Sequence, residues 1–164
     1  MIEDSRVTRH DMPPSLRRQM IGLLNQQLAD GLDLNLQLKH AHWNVKGPGF
    51  ASLHALYDDM AEDLEELVDE LAERAVELSG VARGTLQAIH GATRLPSYPT
   101  QAVAGQEHNQ ALATAIAAFA ATARSGIDTA ANAGDADTAD LFTQLSRALD
   151  KMLWKVEAHL LADS

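Results

Sequence analysis

From Ser15 to about Val45 the chain carries apolar residues at helical spacing without a break: Leu16, Met20, Leu23, Leu24, Leu28, Leu32 and Leu36. A run of about thirty residues on this period is a helix roughly 45 Å long, a length that suits a bundle. Ser15 is the expected N-cap. Gly47-Pro48-Gly49 then forces a turn. A second helix is expected over residues 50–79, with Gly80 as its C′ residue. A third, rich in alanine, is expected from about 106 to 133 with Leu112, Ile116, Phe119 and Ile127 on one face. Gly134 breaks it, and Asp135 or Asp137 caps a fourth that carries Leu141, Leu145, Leu149, Met152 and Val156 to about Leu161. Residues 80–104 lack a long period. They predict one short helix over 83–90 and then an extended crossing through Leu95-Pro96-Ser97-Tyr98-Pro99. A link of that length lets the second and third helices run parallel. No strand pattern competes, so the fold class is all-α: a four-helix bundle with a short extra helix in the long connection between helices 2 and 3.

Residues 1–13 are polar and end at Pro13, so they read as a flexible arm, with one bundle domain over 14–164. No apolar run approaches the 18 or more residues that cross a bilayer, and no apolar h-region follows Met1. No membrane association and a cytoplasmic location are expected. With no cysteine, any metal must rest on His, Asp and Glu. A formal net charge of −10, from 23 acids against 13 bases, repels phosphate backbones and attracts cations.

The chemistry-bearing stretch lies on the second helix. His54 and Asp58 are one turn apart, and so are Asp69 and Glu73. Taking His54 as zero, the other three fall at about 40°, 60° and 100° around the helix, on one stripe. Imidazole and carboxylate together are what divalent iron or zinc uses. One helix cannot close such a site, because His54 and Asp69 are separated by roughly 22 Å of helical rise and a metal–ligand bond spans about 2 Å. The chain therefore offers two half-sites, which a two-fold axis near residues 63 and 64 would join in an antiparallel pair. The other reading is a solvated acidic face, opposite the apolar stripe of Leu53, Leu56, Tyr57, Met60, Leu64, Leu67 and Leu71. Ala61, Val68, Ala72 and Val76, in or beside the acidic stripe, speak for packing there. His42, just before the turn, is placed to fold back toward His54. Ferritin-like di-iron bundles carry Glu-x-x-His motifs inward, and this chain has none.

Three stretches resemble the Dps family, the DNA-protection-during-starvation miniferritins: Ala41-His42-Trp43-Asn44-Val45-x-Gly, Phe50-x-x-Leu53-His54-x-x-x-Asp58 and Asp69-x-x-Ala72-Glu73-Arg74. The connection (Gly80-Val81-Ala82-x-Gly84-Thr85 and Ser97-Tyr98-Pro99) and the last helix (Asp137-Thr138-Ala139-Asp140 and Leu149-Asp150-Lys151-x-Leu153-Trp154) extend the resemblance over residues 14–162. It implies a ferritin-like bundle in a hollow homo-dodecamer built from two-fold dimers. It also implies ferroxidase centres between subunits, where His42, His54 and Asp58 of one chain meet Asp69 and Glu73 of its mate, with two irons possible per site. Members oxidise Fe²⁺ there, preferably with hydrogen peroxide, and store the ferric mineral inside, which protects against oxidative damage.

Trp43 resembles a family tryptophan near the iron, and a plain core aromatic is its other reading; Trp154 reads as packing. His40 is expected in an outer shell or in solvent, and His10, His90, His108 and His159 at the surface. Asp135, Asp137 and Asp140 match acidic pores of the family, although N-capping accounts for at least one. The departure is the arm: residues 1–18 hold no lysine, and Arg6, Arg9, Arg17 and Arg18 face three acids. DNA binding is therefore expected to be weak. The competing function is a nucleoid-associated, DNA-compacting protein with secondary iron chemistry.

Overall fold

The computed structural model describes residues 7–160. It contains five helices: α1 (Pro14–Asn44), α2 (Phe50–Glu77), α3 (Leu86–Ala92), α4 (Gly105–Ala133) and α5 (Ala136–Leu160). The all-α expectation holds, and the short helix lies a little later than 83–90.

Helix α1 begins with Pro14 at its first position, where a missing N–H was an orphan anyway and the fixed φ is already helical. Ser15, the expected cap, falls inside the helix; the Pro13 carbonyl accepts instead from Arg17 N–H at 3.0 Å. Residues 7–13 are neither helix nor strand, and Met12 among them packs against the core. The remainder of the expected arm, residues 1–6, lies outside the described residues.

The turn to α2 uses left-handed backbone at Gly47 (φ 92°) and Gly49 (φ 75°), which reverses the chain within five residues. At the other end of α2 the structure corrects the expectation of Gly80 as the left-handed residue. Ser79 takes φ 71°, donates to Val76 O at 2.8 Å, and Gly80 N–H donates to Ala75 O at 2.9 Å. This is a Schellman closure with serine at C′. Glycine follows because a Cβ there would stand 2.6 Å from the Ile21 side chain.

The long link is tied to α1. The fully buried Asp30 carboxylate accepts from the Arg94 backbone N–H at 2.8 Å and from its guanidinium, while Asp33 accepts from the Thr93 hydroxyl at 2.6 Å. Lys46 N–H donates to Val103 O at 2.9 Å, and Lys46 and Ala104 form an isolated parallel bridge. The first turn of α4 thus lies beside that of α2, and the two helices run parallel as the link length implied. Helix α4 is opened by Glu107, whose carboxylate accepts from Val103 and Ala104 N–H at 2.9 Å each. These two bonds hold its pKa below the ordinary range. Asp135 accepts from Thr138 N–H at 3.1 Å and is the cap of α5.

Helices α1 and α2 pair antiparallel, as do α4 and α5, and one core fills the space between the pairs. Met20, Leu24, Leu34, Leu38, Tyr57, Met60, Leu64 and Leu71 from the first pair meet Leu112, Ile116, Phe119, Phe142, Leu145 and Leu149 from the second, all with no exposed surface. Each such side chain contributes about 1.5–3 kcal/mol by leaving water. The alanines of α4 (Ala115, Ala120, Ala123) are buried among them and let the helices approach. Among the described residues, no helix is long and apolar enough to cross a membrane.

Candidate metal centre

The α1–turn–α2 hairpin places the last turn of one helix against the first turns of the next. His42 and His54 meet there as stacked rings, with centroids 3.8 Å apart and planes 18° from parallel. His42 Nδ1–H donates to the His54 carbonyl at 2.7 Å, and His54 Nδ1–H donates to the His42 carbonyl at 2.7 Å. A carbonyl oxygen only accepts, so both Nδ1 atoms carry the proton. In that tautomer the lone pair of each ring lies on Nε2. This is the outer-shell bond that orients metal-ligating histidines. Phe50 closes the stack on the far side of His54, centroids 5.1 Å apart.

Asp58 completes this group, with Oδ1 3.9 Å from His42 Nε2. Its carboxylate is held by the Lys39 ammonium, which also lies 5.9 Å from the centre of the Trp43 ring. The hydrogen bond from Lys39 pulls the Asp58 pKa below the carboxylate range; burial opposes it, and the electrostatic pull of His42, Lys39 and His54 adds to it. Lys39 was not foreseen. It lies one turn before His42 on the same face, which was the available signal. Chemically it is a monovalent cation resting on the carboxylate.

Asp69 and Glu73 stand apart on the outer face of α2, both exposed. Glu73 borders a shallow groove of about 500 Å³ with Ala72, Val76 and Ala82. Asp69 borders a neighbouring groove of about 900 Å³ with an apolar floor (Leu28, Leu32, Val68) and an acidic rim (Glu62, Glu65, Glu66). The half-exposed Val76 lies on the first groove, Ala61 turns into the chain's own core, and the buried Val68 serves both core and groove floor. Among the described residues no three His, Asp or Glu side chains of one chain converge on a metal position. The chain holds a histidine–carboxylate set at one end of α2 and a carboxylate pair at the other.

Other expectations fare unevenly. Trp43 and Trp154 are each 67% exposed, so neither is a core aromatic of this chain. His90 and His159 are exposed, and His10 is half-buried, its Nδ1 accepting from Met12 N–H at 3.2 Å. His108 is the clear error: it is fully buried, its Nδ1 2.6 Å from the Tyr98 hydroxyl. It sits four residues before Leu112, on the inward stripe of α4, which would have placed it. Burial pushes its pKa down, His40 pushes it further, and Glu107 opposes both. His40 packs edge-on against Tyr98, centroids 5.1 Å apart, with a buried Nε2. Asp135 is 3% exposed and pairs with Arg74 at 3.1 Å as well as capping α5. Asp137 and Asp140 are exposed and border an acidic groove with Glu70, Glu73 and Glu77.

The model of the ferritin-like domain matches residues 21–162. A DNA protection during starvation protein of Agrobacterium fabrum is 44% identical over 153 residues, covering 93% of this chain and 94% of that relative. The solved structure of Mycobacterium smegmatis Dps superposes with a TM-score of 0.91 at 30% identity, over 98% of this chain and 91% of that one. A Dps protein from Bacillus brevis gives 0.85 at 28% identity, over 91% and 99%.

Proposed function

The chain belongs to the ferritin-like family and, within it, to the Dps proteins, and on that premise we propose that it is a ferroxidase that oxidises Fe²⁺ and stores the ferric product. The observation that carries the reading is the reciprocal His42–His54 lock. It turns both Nε2 atoms away from the carbonyls, that of His42 to 3.9 Å from Asp58, near the start of a helix whose far end bears Asp69 and Glu73. In the proposed assembly a two-fold axis near the middle of α2 brings Asp69 and Glu73 of a partner onto His42, His54 and Asp58. The apolar-floored grooves beside Asp69 and Glu73 support a docked helix there. Closed two-fold dimers would build the hollow twelve-subunit shell.

The substrate is Fe²⁺, two ions per site, and the proposed oxidant is hydrogen peroxide. Two Fe²⁺ and one H₂O₂, with two protons, give two Fe³⁺ and two waters, so no hydroxyl radical is released. Neutral imidazoles hold the ferrous ion, and carboxylates favour the ferric one. Lys39 holds Asp58 until an iron displaces it and keeps that carboxylate ionised meanwhile. A cytoplasmic location and weak, arm-dependent contact with DNA complete the proposal; the net charge of −10 opposes a primary role in compaction.

The test is anaerobic. Fe²⁺-loaded protein is mixed with peroxide while ferric absorbance and peroxide consumption are followed. A ratio of about one peroxide per two irons, with a soluble product and loss of the reaction in Asp69→Ala, is expected for a two-metal site. Co-assembled His54→Ala and Asp69→Ala subunits should regain part of the activity, because some interfaces then hold one intact site. Unchanged kinetics in both variants would overturn the reading.

A further inference from the structure

The chain has two tyrosines, Tyr57 fully buried on α2 next to Asp58 and Tyr98 half-buried in the long link, and they are wired differently. The Tyr57 hydroxyl donates to Asn109 Oδ1 at 2.7 Å, and a carboxamide oxygen cannot hold a proton at neutral pH. The Tyr98 hydroxyl lies 2.6 Å from His108 Nδ1. The phenol is the stronger acid of that pair, so it donates and the imidazole nitrogen accepts. The two rings stack 24° from parallel, centroids 6.0 Å apart, and His108 is fully buried. The base that faces the hydroxyl is therefore itself closed to water. On its other side Tyr98 takes the edge of His40, two residues from His42. Burial holds both phenols above their ordinary pKa, so neither ionises in advance, and His108 is kept neutral and ready to accept.

An oxidised phenol is a strong acid, so its oxidation at neutral pH is favoured where a base stands at the hydroxyl to take the proton. Tyr98 has such a base and Tyr57 does not. We propose that the Tyr98–His108 pair is an internal one-electron donor. The hydroxyl radical formed when peroxide meets a singly occupied iron site is reduced to hydroxide by one electron from Tyr98. The phenolic proton moves to His108 Nδ1, which leaves a neutral tyrosyl radical and an imidazolium. A later Fe²⁺ supplies one electron, His108 returns the proton, and Fe³⁺, phenol and neutral imidazole result. The pair converts a half-filled site from a radical source into a slow one-electron oxidase. The oxidant rests on the ferroxidase reading above; the proton-coupled wiring of Tyr98 does not.

Two arms separate those premises. In the first, protein carrying less than one Fe²⁺ per half-site is mixed with peroxide, freeze-quenched and examined by electron paramagnetic resonance. A tyrosyl signal is expected in the wild type and in Tyr57→Phe, and its loss in Tyr98→Phe. In the second, metal-free protein is oxidised by a flash-generated ruthenium polypyridine oxidant. Tyrosyl formation at Tyr98 should slow in D₂O, and His108→Gln, which keeps a hydrogen-bonding group but no base, should abolish it. Circular dichroism and thermal melting of each variant confirm that it is folded. Ferric iron forming with no tyrosyl signal, or a signal that survives Tyr98→Phe, overturns the inference and leaves the ferroxidase standing. No ferric product alongside normal flash oxidation of Tyr98 overturns the ferroxidase and leaves the pair standing.

Discussion

Asp30→Ala removes the group that ties the long link to α1, and its effect can be worked from three contacts. The carboxylate is fully buried and accepts the Arg94 backbone N–H at 2.8 Å, its Nε at 2.9 Å and a third bond from the guanidinium. Breaking a buried pair by deleting one partner costs about 3–5 kcal/mol when the other charge is stranded. Arg94 is not stranded: its side chain is 41% exposed and swings into water, which returns some rotamer entropy. What stays lost is one charge-assisted interaction of about 1.5–2 kcal/mol and an unpaired backbone N–H of about 1–2 kcal/mol. The expected loss is therefore about 3 kcal/mol, at the low end of the range. For a chain of this size that is a fall of about 6–12 °C in melting temperature. Urea titration of matched protomer concentrations checks it, since assembly contributes to apparent stability. Arg94→Ala alone should cost at least as much, because it strands the fully buried Asp30 charge with one backbone donor, and the double variant should fall short of the sum by at least about 1 kcal/mol. Additivity, or a loss below about 0.5 kcal/mol for Asp30→Ala, would refute the assignment of the link's anchorage to this pair. The residue lies twelve positions before His42, about 18 Å along α1, so peroxide-driven iron oxidation in the folded fraction should be unchanged.

Three further outcomes are expected. His108 has a folded-state pKa below its unfolded value of about 6.5, so it contributes stability above that pH, and the contribution is lost as pH falls through the folded pKa; urea midpoints between pH 7 and 5 should fall less steeply in His108→Gln than in the wild type. Gly80→Ala places a Cβ 2.6 Å from Ile21 and 2.9 Å from the Ala75 carbonyl, so it should destabilise by about 1–3 kcal/mol in urea titration, and a milder result would mean that the α2 terminus shifts freely. Gel shifts with duplex DNA should show binding that disappears between low and moderate salt; retention at moderate salt would make the arginine-bearing arm a DNA contact in its own right.

How far the sequence carried depended on which dimension was asked of it. Around a helix axis, position follows from spacing, so the inward face of α2 and the common stripe of His54, Asp58, Asp69 and Glu73 could be worked out from 100° per residue. Along the axis, the separation of roughly 22 Å that divides the site into halves came from the same arithmetic. Helix ends were less readable, because several residues compete for each role. Pro14 took the first turn that Ser15 was expected to cap, and Ser79 took the left-handed position next to a glycine that was needed for its lack of a Cβ. Between helices only the His42–His54 approach across the tight turn was readable, because so short a connection fixes its two flanks. Nothing in the spacing of Lys39 and Asp58, nineteen residues apart, announces an ion pair, and nothing in Tyr98 and His108 announces a 2.6 Å hydrogen bond. The two tryptophans mark the same boundary from outside. Trp43 and Trp154 match positions of the resemblance, yet each is two-thirds exposed on the single chain. Spacing along a helix does not tell which aromatic will stay uncovered, and Trp43, with the Lys39 ammonium over its ring, had no signal for it.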